Sequence, residues 1–234
     1  MILNLKIKPV NFKFSNYMSQ AFELMKKDFG NIFVAFLLVI VMSIIPFCGI
    51  LAVGNFYKYL DRFKRGEQAN PGDIFNFDDF MPYFILQLIL LAVIAVLYIP
   101  MFFIFPLIAM AQYSDTIGFG SVFFMIIYFM FFFFAVIFIS TKAFYMPALI
   151  SLKGVTDFQT AWKASGMMTK GNLLNIFLFV LVTSLVANVG IIACGIGLFV
   201  TLPFYYTAQF FAYDDAMMQI SHDEISDLGI KEKF

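Results

Sequence analysis

Residues 171–213 run for 43 positions without a charged side chain, and Lys170 and Asp214 bracket the run. A helix rises about 1.5 Å per residue and needs about 20 apolar residues to cross a bilayer, so this stretch holds two crossings rather than one. Its middle carries Asn188, Gly190, Ala193, Cys194 and Gly195, the small and turn-forming residues that a tight reversal uses. The stretch therefore reads as a helical hairpin inside a membrane, and the rest of the chain reads as variations on it.

Composition agrees. Of 234 residues, 62% are hydrophobic and only 13% charged, against about 25% charged in soluble domains. Net charge is zero, so bulk charge points to no nucleic-acid partner. Two cysteines, Cys48 and Cys194, make neither a disulfide framework nor a zinc site. Residues 1–30 hold five lysines and no apolar core followed by a cleavage site, so they do not read as a signal peptide. The first hydrophobic segment is expected to stay as an anchor.

Residues 1–14 read as a basic, loosely ordered start. Over 15–29, Met18, Ala21, Phe22, Met25 and Phe29 fall on one side of a helix, and Ser19, Gln20, Glu23, Lys26 and Lys27 on the other. That is the pattern of a helix lying in the headgroup plane, with Gly30 as its stop. Residues 31–57 are uncharged but interrupted by Pro46 and Gly49. Two short helices, 31–46 and 49–64, or one span over 31–53, both fit. Residues 66–79 form a polar loop with a turn at Asn70, Pro71 and Gly72, where Asp73 could cap a brief helix. The next uncharged run, 80–114, exceeds a single span, and Pro100 and Pro106 are expected to end its helix. Residues 116–141 give another span, nearly all apolar, with Phe131, Phe132, Phe133 and Phe134 in a row. Thr156 and Gln159 fit a capping box that opens a second amphipathic helix, with Lys163 and Lys170 on its polar side. The acidic tail, 214–234, is expected to be soluble and partly frayed.

Lysine and arginine positions decide the threading. With six spans near 31–46, 49–64, 82–105, 120–142, 172–189 and 196–213, and both termini inside, all 15 basic residues fall on the inner side. Asp115 is then the only charge in the outer loops. A five-span arrangement divides the basic residues between the two sides. The six-span reading accepts a thin first hairpin, since 16 residues reach only about 24 Å. A weak internal repeat supports it: Ala21-Phe22, Gly30-Asn31 and Cys48-Gly49-Ile50 recur as Ala161-Trp162, Gly171-Asn172 and Cys194-Gly195-Ile196.

Arg65-Gly66-Glu67, then Phe75, Ala161, Ser165, Lys170-Gly171, Gly195-Ile196-Gly197, Pro203 and Tyr213 appear in that order. The pattern resembles a bacterial family of uncharacterised integral membrane proteins, related to the membrane domain carried by some glycerophosphoryl diester phosphodiesterases. The resemblance covers about residues 20–216 and is closest in the final third. It implies a six-helix bundle in a bacterial plasma membrane. No soluble region of barrel length occurs here, so the phosphodiesterase chemistry does not carry over.

No motif reads as an active site. His222 is the only histidine and falls in the polar tail. Cys48 and Cys194 occupy equivalent outer turns, where they could pair or simply ease the turn. Two sets of residues are candidates. Gly197, Thr201, Tyr205 and Gln209 share one helix face at i+4 steps, and Ser184 and Asn188 make a similar stripe on the preceding span. They could line a small polar cavity, or could pack helices together at about 0.6 kcal/mol per interhelical bond. Lys26, Lys27, Lys163 and Lys170 could meet anionic headgroups, at about 1 kcal/mol each, or could merely fix topology.

The expectation is an all-α integral membrane protein of six transmembrane helices in three hairpins, with interfacial helices before the first and last. Residues 1–30 form the basic start, 31–213 the membrane domain and 214–234 the cytoplasmic tail. The function expected is non-enzymatic, without a cofactor or metal: lipid interaction, or scaffolding of a membrane-protein partner. A small-solute transporter is the alternative.

Overall fold

The computed structural model describes residues 9–112, 119–192 and 195–227 of the chain. Among these every regular element is a helix: α1 Phe14–Lys27, α2 Phe29–Ser43, α3 Gly49–Lys64, a 3-10 turn at Pro71–Phe75, α4 Phe80–Gln112, α5 Phe119–Lys142, α6 Met146–Lys153, α7 Phe158–Met168, α8 Leu173–Ile192 and α9 Leu198–Asp227. Three stretches, Phe80–Phe103, Met125–Lys153 and Leu173–Ile192, are long and apolar enough to cross a membrane. Helix α2 is apolar but has only 15 residues, about 22 Å.

Several local expectations are corrected. Of the two readings of residues 31–64, the two short helices form and the single helix over 31–53 does not: α2 ends at Ser43 and α3 starts at Gly49. Phe47 holds the turn between them at φ 64, in the left-handed region that non-glycine residues seldom adopt. Pro100 and Pro106 do not end α4, which runs through both to Gln112. A proline inside a helix deletes one hydrogen bond, and a long apolar helix has no water to compete for its remaining backbone groups. Gly30 lies within α2 rather than stopping α1; Asp28 divides the two helices and accepts from the Asn31 backbone N–H. Asn70, not Asp73, caps the 3-10 turn by accepting from Gly72 N–H at 2.9 Å. Asp157, not Thr156, caps α7.

The chain packs as two units, residues 85–140 and the remainder. In the unit formed by residues 85–140, described side chains are largely exposed, including Leu88, Ile94, Phe102, Phe131, Phe133 and Phe134. Tyr98 and Phe132 meet edge to face at 5.4 Å. A continuous apolar surface of this kind belongs in lipid or against another apolar surface.

The larger unit has a tight, aromatic and partly polar core. Tyr17, Tyr57, Tyr83, Tyr145, Phe56, Phe179 and Phe210 are fully buried. Gly54 of α3 leaves room for the Tyr83 ring, whose hydroxyl would collide with any Cβ there. That hydroxyl sits 2.6 Å from Ser151 Oγ and donates to Pro147 O at 3.2 Å, which ties the start of α4 to α6. Ser165 of α7 donates to Lys142 O at 2.7 Å and accepts from Tyr145 N–H at 3.1 Å, which fixes the α5–α6 corner.

The described parts of both end segments, residues 9–13 and 214–227, are ordered. Residues 1–8 lie outside the described residues, but 9–13 form an anchored strap. Val10 N–H donates to Met168 O at 3.1 Å, and Val10 O accepts from Asn172 Nδ2. Phe12 packs edge to face on Tyr17 and Phe179. The tail is not frayed at its start: α9 continues without a break from the apolar run to Asp227. The register explains this, because Asp214 and Asp215 find cations on other elements.

Candidate functional site

Helix α9 organises the polar contacts. Asp215 accepts from Tyr17 Oη at 2.7 Å, from Lys13 Nζ at 3.0 Å and from Gln219 Nε2 at 2.6 Å. Burial, helped by that bond to Asp215, holds the Tyr17 phenol well above its ordinary value. Asp214 pairs with Lys64 of α3. Two adjacent carboxylates thus hold the strap, α1 and α3 against one helix. Deeper along α9, Thr207 Oγ1 lies 4.0 Å from Met25 Sδ. The Tyr17–Asp215 and Met25–Thr207 contacts together make α1 antiparallel to α9 for eight residues, about 12 Å. The face of α1 that packs is Tyr17, Ala21 and Met25; Phe22, expected on the apolar side, is 60% exposed.

The polar stripe does not converge on one cavity. Thr201 Oγ1 donates to Ala187 O at 2.7 Å across the α8–α9 crossing and sits 3.1 Å from Gly197 O. Gly190 permits that crossing, since a Cβ there would overlap Thr201, Gly197 and Leu198. Asn188 is exposed and donates back to Ser184 O on its own helix. Gln209 is buried at another level and accepts from Tyr57 Oη at 2.9 Å. Tyr205 is half-buried and packs edge to face on Tyr206 at 5.0 Å. Thr201, Asn188 and Gln209 thus bond to backbone or to a neighbouring helix, which is how helices pack in apolar surroundings. Cys48 is buried at the α2–α3 turn, and Cys194 lies outside the described residues, so their pairing does too.

The basic residues divide into two populations. Lys13, Lys58, Arg62, Lys64 and Arg65 are ion-paired, to Asp215, Asp79, Asp73, Asp214 and Asp61 respectively. Among the described residues, no ion pair engages Lys26, Lys27, Lys163 or Lys170, and all four are exposed. Lys26 and Lys27 close α1. Lys163 lies on α7 within the field of its cap, Asp157, whose carboxyl is held below its ordinary value first by the Thr160 hydroxyl and then by the Thr160 N–H. Lys170 stands at the turn into α8, where Gly171 takes φ 81, a conformation glycine adopts without strain.

A shallow groove of about 610 Å³ opens beside α1, lined by Ser19, Gln20, Glu23, Lys26 and Lys27 on the polar side and by Leu24 and Phe211 on the apolar side. Lys64 Nζ stands 5.8 Å from the Phe211 ring centroid. Sequence reading found the lysines by their periodicity. It missed Phe211 as a wall of the same groove, because residues some 190 positions apart leave no local signal.

These features define a helical protein with apolar helices suited to a membrane. Comparison with family models, with curated proteins and with solved structures gives no match for the chain. Among the described residues no cluster of histidine, cysteine and carboxylate side chains has metal-binding geometry.

Proposed function

We propose that the chain is a polytopic membrane protein with six crossings and both termini in the cytoplasm, working without catalysis by binding phospholipid headgroups of the inner leaflet. In this reading α2, α3 and α9 are crossings in addition to the three longer apolar stretches, and their polar residues are buried against one another rather than exposed to lipid. The family resemblance in residues 20–216 accords with such a bundle.

One observation carries the lipid reading. Among the described residues, the four lysines on or beside α1 and α7 enter no ion pair, while the cations of α3 are paired. Charges that served only to orient the chain would work equally well paired or unpaired. Exposed lysines at the ends of amphipathic helices are placed to meet phosphates, at about 1 kcal/mol each near an anionic surface.

Lipid analysis of protein extracted in native nanodiscs tests this, alongside Lys163→Glu/Lys170→Glu. Enrichment of anionic phospholipid around the wild type and its loss in the variant support the reading. Equal lipid profiles with normal folding refute it, and co-purification of a stoichiometric membrane protein favours the scaffold instead.

A further inference from the structure

The groove beside α1 holds charges of both signs within one helical turn. Glu23 precedes Lys26 and Lys27 by three and four positions, the spacing at which a helix ordinarily closes Glu–Lys pairs. Yet none of the three is ion-paired among the described residues, and all three line the groove. Leu24 and Phe211 supply its apolar wall. The antiparallel register sets Met25 against Thr207 and Tyr17 against Asp215. The two lysines therefore lie toward the apolar part of α9, about 12 Å along the helix from Asp215. Long cationic side chains of this kind can lay their stems over apolar surface while the ammonium groups reach a polar partner.

We infer that this groove is a site for a phospholipid whose headgroup carries both a phosphodiester and a primary ammonium, of the phosphatidylethanolamine type. Lys26 and Lys27 donate to the phosphate, Glu23 accepts from the ammonium, and the acyl chain lies over Leu24 and Phe211. A purely anionic headgroup satisfies the lysines but leaves Glu23 beside its negative charge. A choline headgroup satisfies the lysines but offers Glu23 no N–H. The inference rests on the lipid reading above and adds headgroup selectivity to it.

Native mass spectrometry of the full chain, with phosphatidylethanolamine, phosphatidylglycerol and phosphatidylcholine of identical acyl chains, tests the assignment. At this groove the wild type is expected to hold phosphatidylethanolamine as its most tightly retained lipid, against the looser anionic lipid gathered by Lys163 and Lys170. Glu23→Gln should shift the preference to phosphatidylglycerol, a reversal that misfolding does not produce. Lys26→Ala and Lys27→Ala should each lower phosphatidylethanolamine retention about fivefold. A wild type that prefers phosphatidylglycerol and ignores Glu23→Gln overturns the groove assignment while lipid binding stands. A wild type with no headgroup preference overturns the lipid reading itself. Protection by soluble glycerophosphoethanolamine equal to that by the intact lipid overturns the membrane source of the ligand.

Discussion

The phenol of Tyr17 donates to the carboxylate of Asp215 at 2.7 Å, joining the first helix of the chain to the last. Tyr17 is fully buried, and the same carboxylate also holds Lys13 and Gln219. Asp215→Ala therefore strands a buried hydroxyl and frees the strap. Leaving such a donor unpaired costs about 1–3 kcal/mol. Tyr17→Phe, which removes both the donor and its need, should cost less. A double-mutant cycle read by thermal denaturation in nanodiscs should give a coupling of at least about 0.5 kcal/mol; additive losses would mean the contact carries no stability.

The same bond sets an alkaline limit. Burial and Asp215 raise the Tyr17 pKa above its ordinary 10.0 in the folded state. A raised pKa contributes stability that is complete below the unfolded value and is lost as pH rises through the folded one. The stability difference between wild type and Tyr17→Phe should thus be flat below pH 10 and shrink above it, as measured by denaturation across pH 8–11.

Asp157 works in the opposite direction. Its bonds to Thr160 lower its pKa below the ordinary 3.8, so its cap on α7 is present above that value and weakens as pH falls through the lowered one. Asp157→Ala should speed amide exchange over the first turn of α7 at neutral pH. Wild-type exchange there should approach the variant's only in strong acid.

Gly190 and Gly54 mark close approaches that sequence alone does not separate from turn glycines. Gly190→Ala places a methyl against Thr201 and the start of α9, and Gly54→Ala one against the Tyr83 hydroxyl. Overpacking of this kind costs about 1–3 kcal/mol. Gly30→Ala, which meets nothing within 4 Å, should be neutral or stabilising, and a melting comparison of the three variants checks the ranking.

Thr201→Val separates packing from transport. It removes the bond to Ala187 O and should cost about 0.6 kcal/mol of stability. Solute uptake in proteoliposomes that fails in Thr201→Val while folding is kept would instead favour a solute site along Thr201 and Gln209.

Helix existence was readable because hydrophobic runs broken by charge or by Pro46, Gly49 and Gly195 are local signals. The expected spans 49–64 and 120–142 fall close to α3 and α5. Caps slipped by one residue from Thr156 to Asp157 and by three from Asp73 to Asn70, because several side chains in each turn could serve. Pro100 and Pro106 misled, since proline's effect depends on the solvent around the helix. The packed strap and the Asp214–Asp215 clamp were not legible, because Lys13 and Lys64 meet them across some 150–200 positions. Lys26, Lys27, Lys163 and Lys170 were legible as charged faces; which lysines stay outside ion pairs is set by tertiary contacts alone.

The threading is tested most directly at Gln68, in the polar loop that follows α3. A single cysteine placed there, in a background without Cys48 and Cys194, is probed in intact cells with a membrane-impermeant maleimide. Six crossings with a cytoplasmic amino terminus require that it stay unlabelled until the cells are opened. Labelling in sealed cells, with the amino terminus shown to be cytoplasmic, would contradict the even count of crossings and the inner placement of the unpaired lysines.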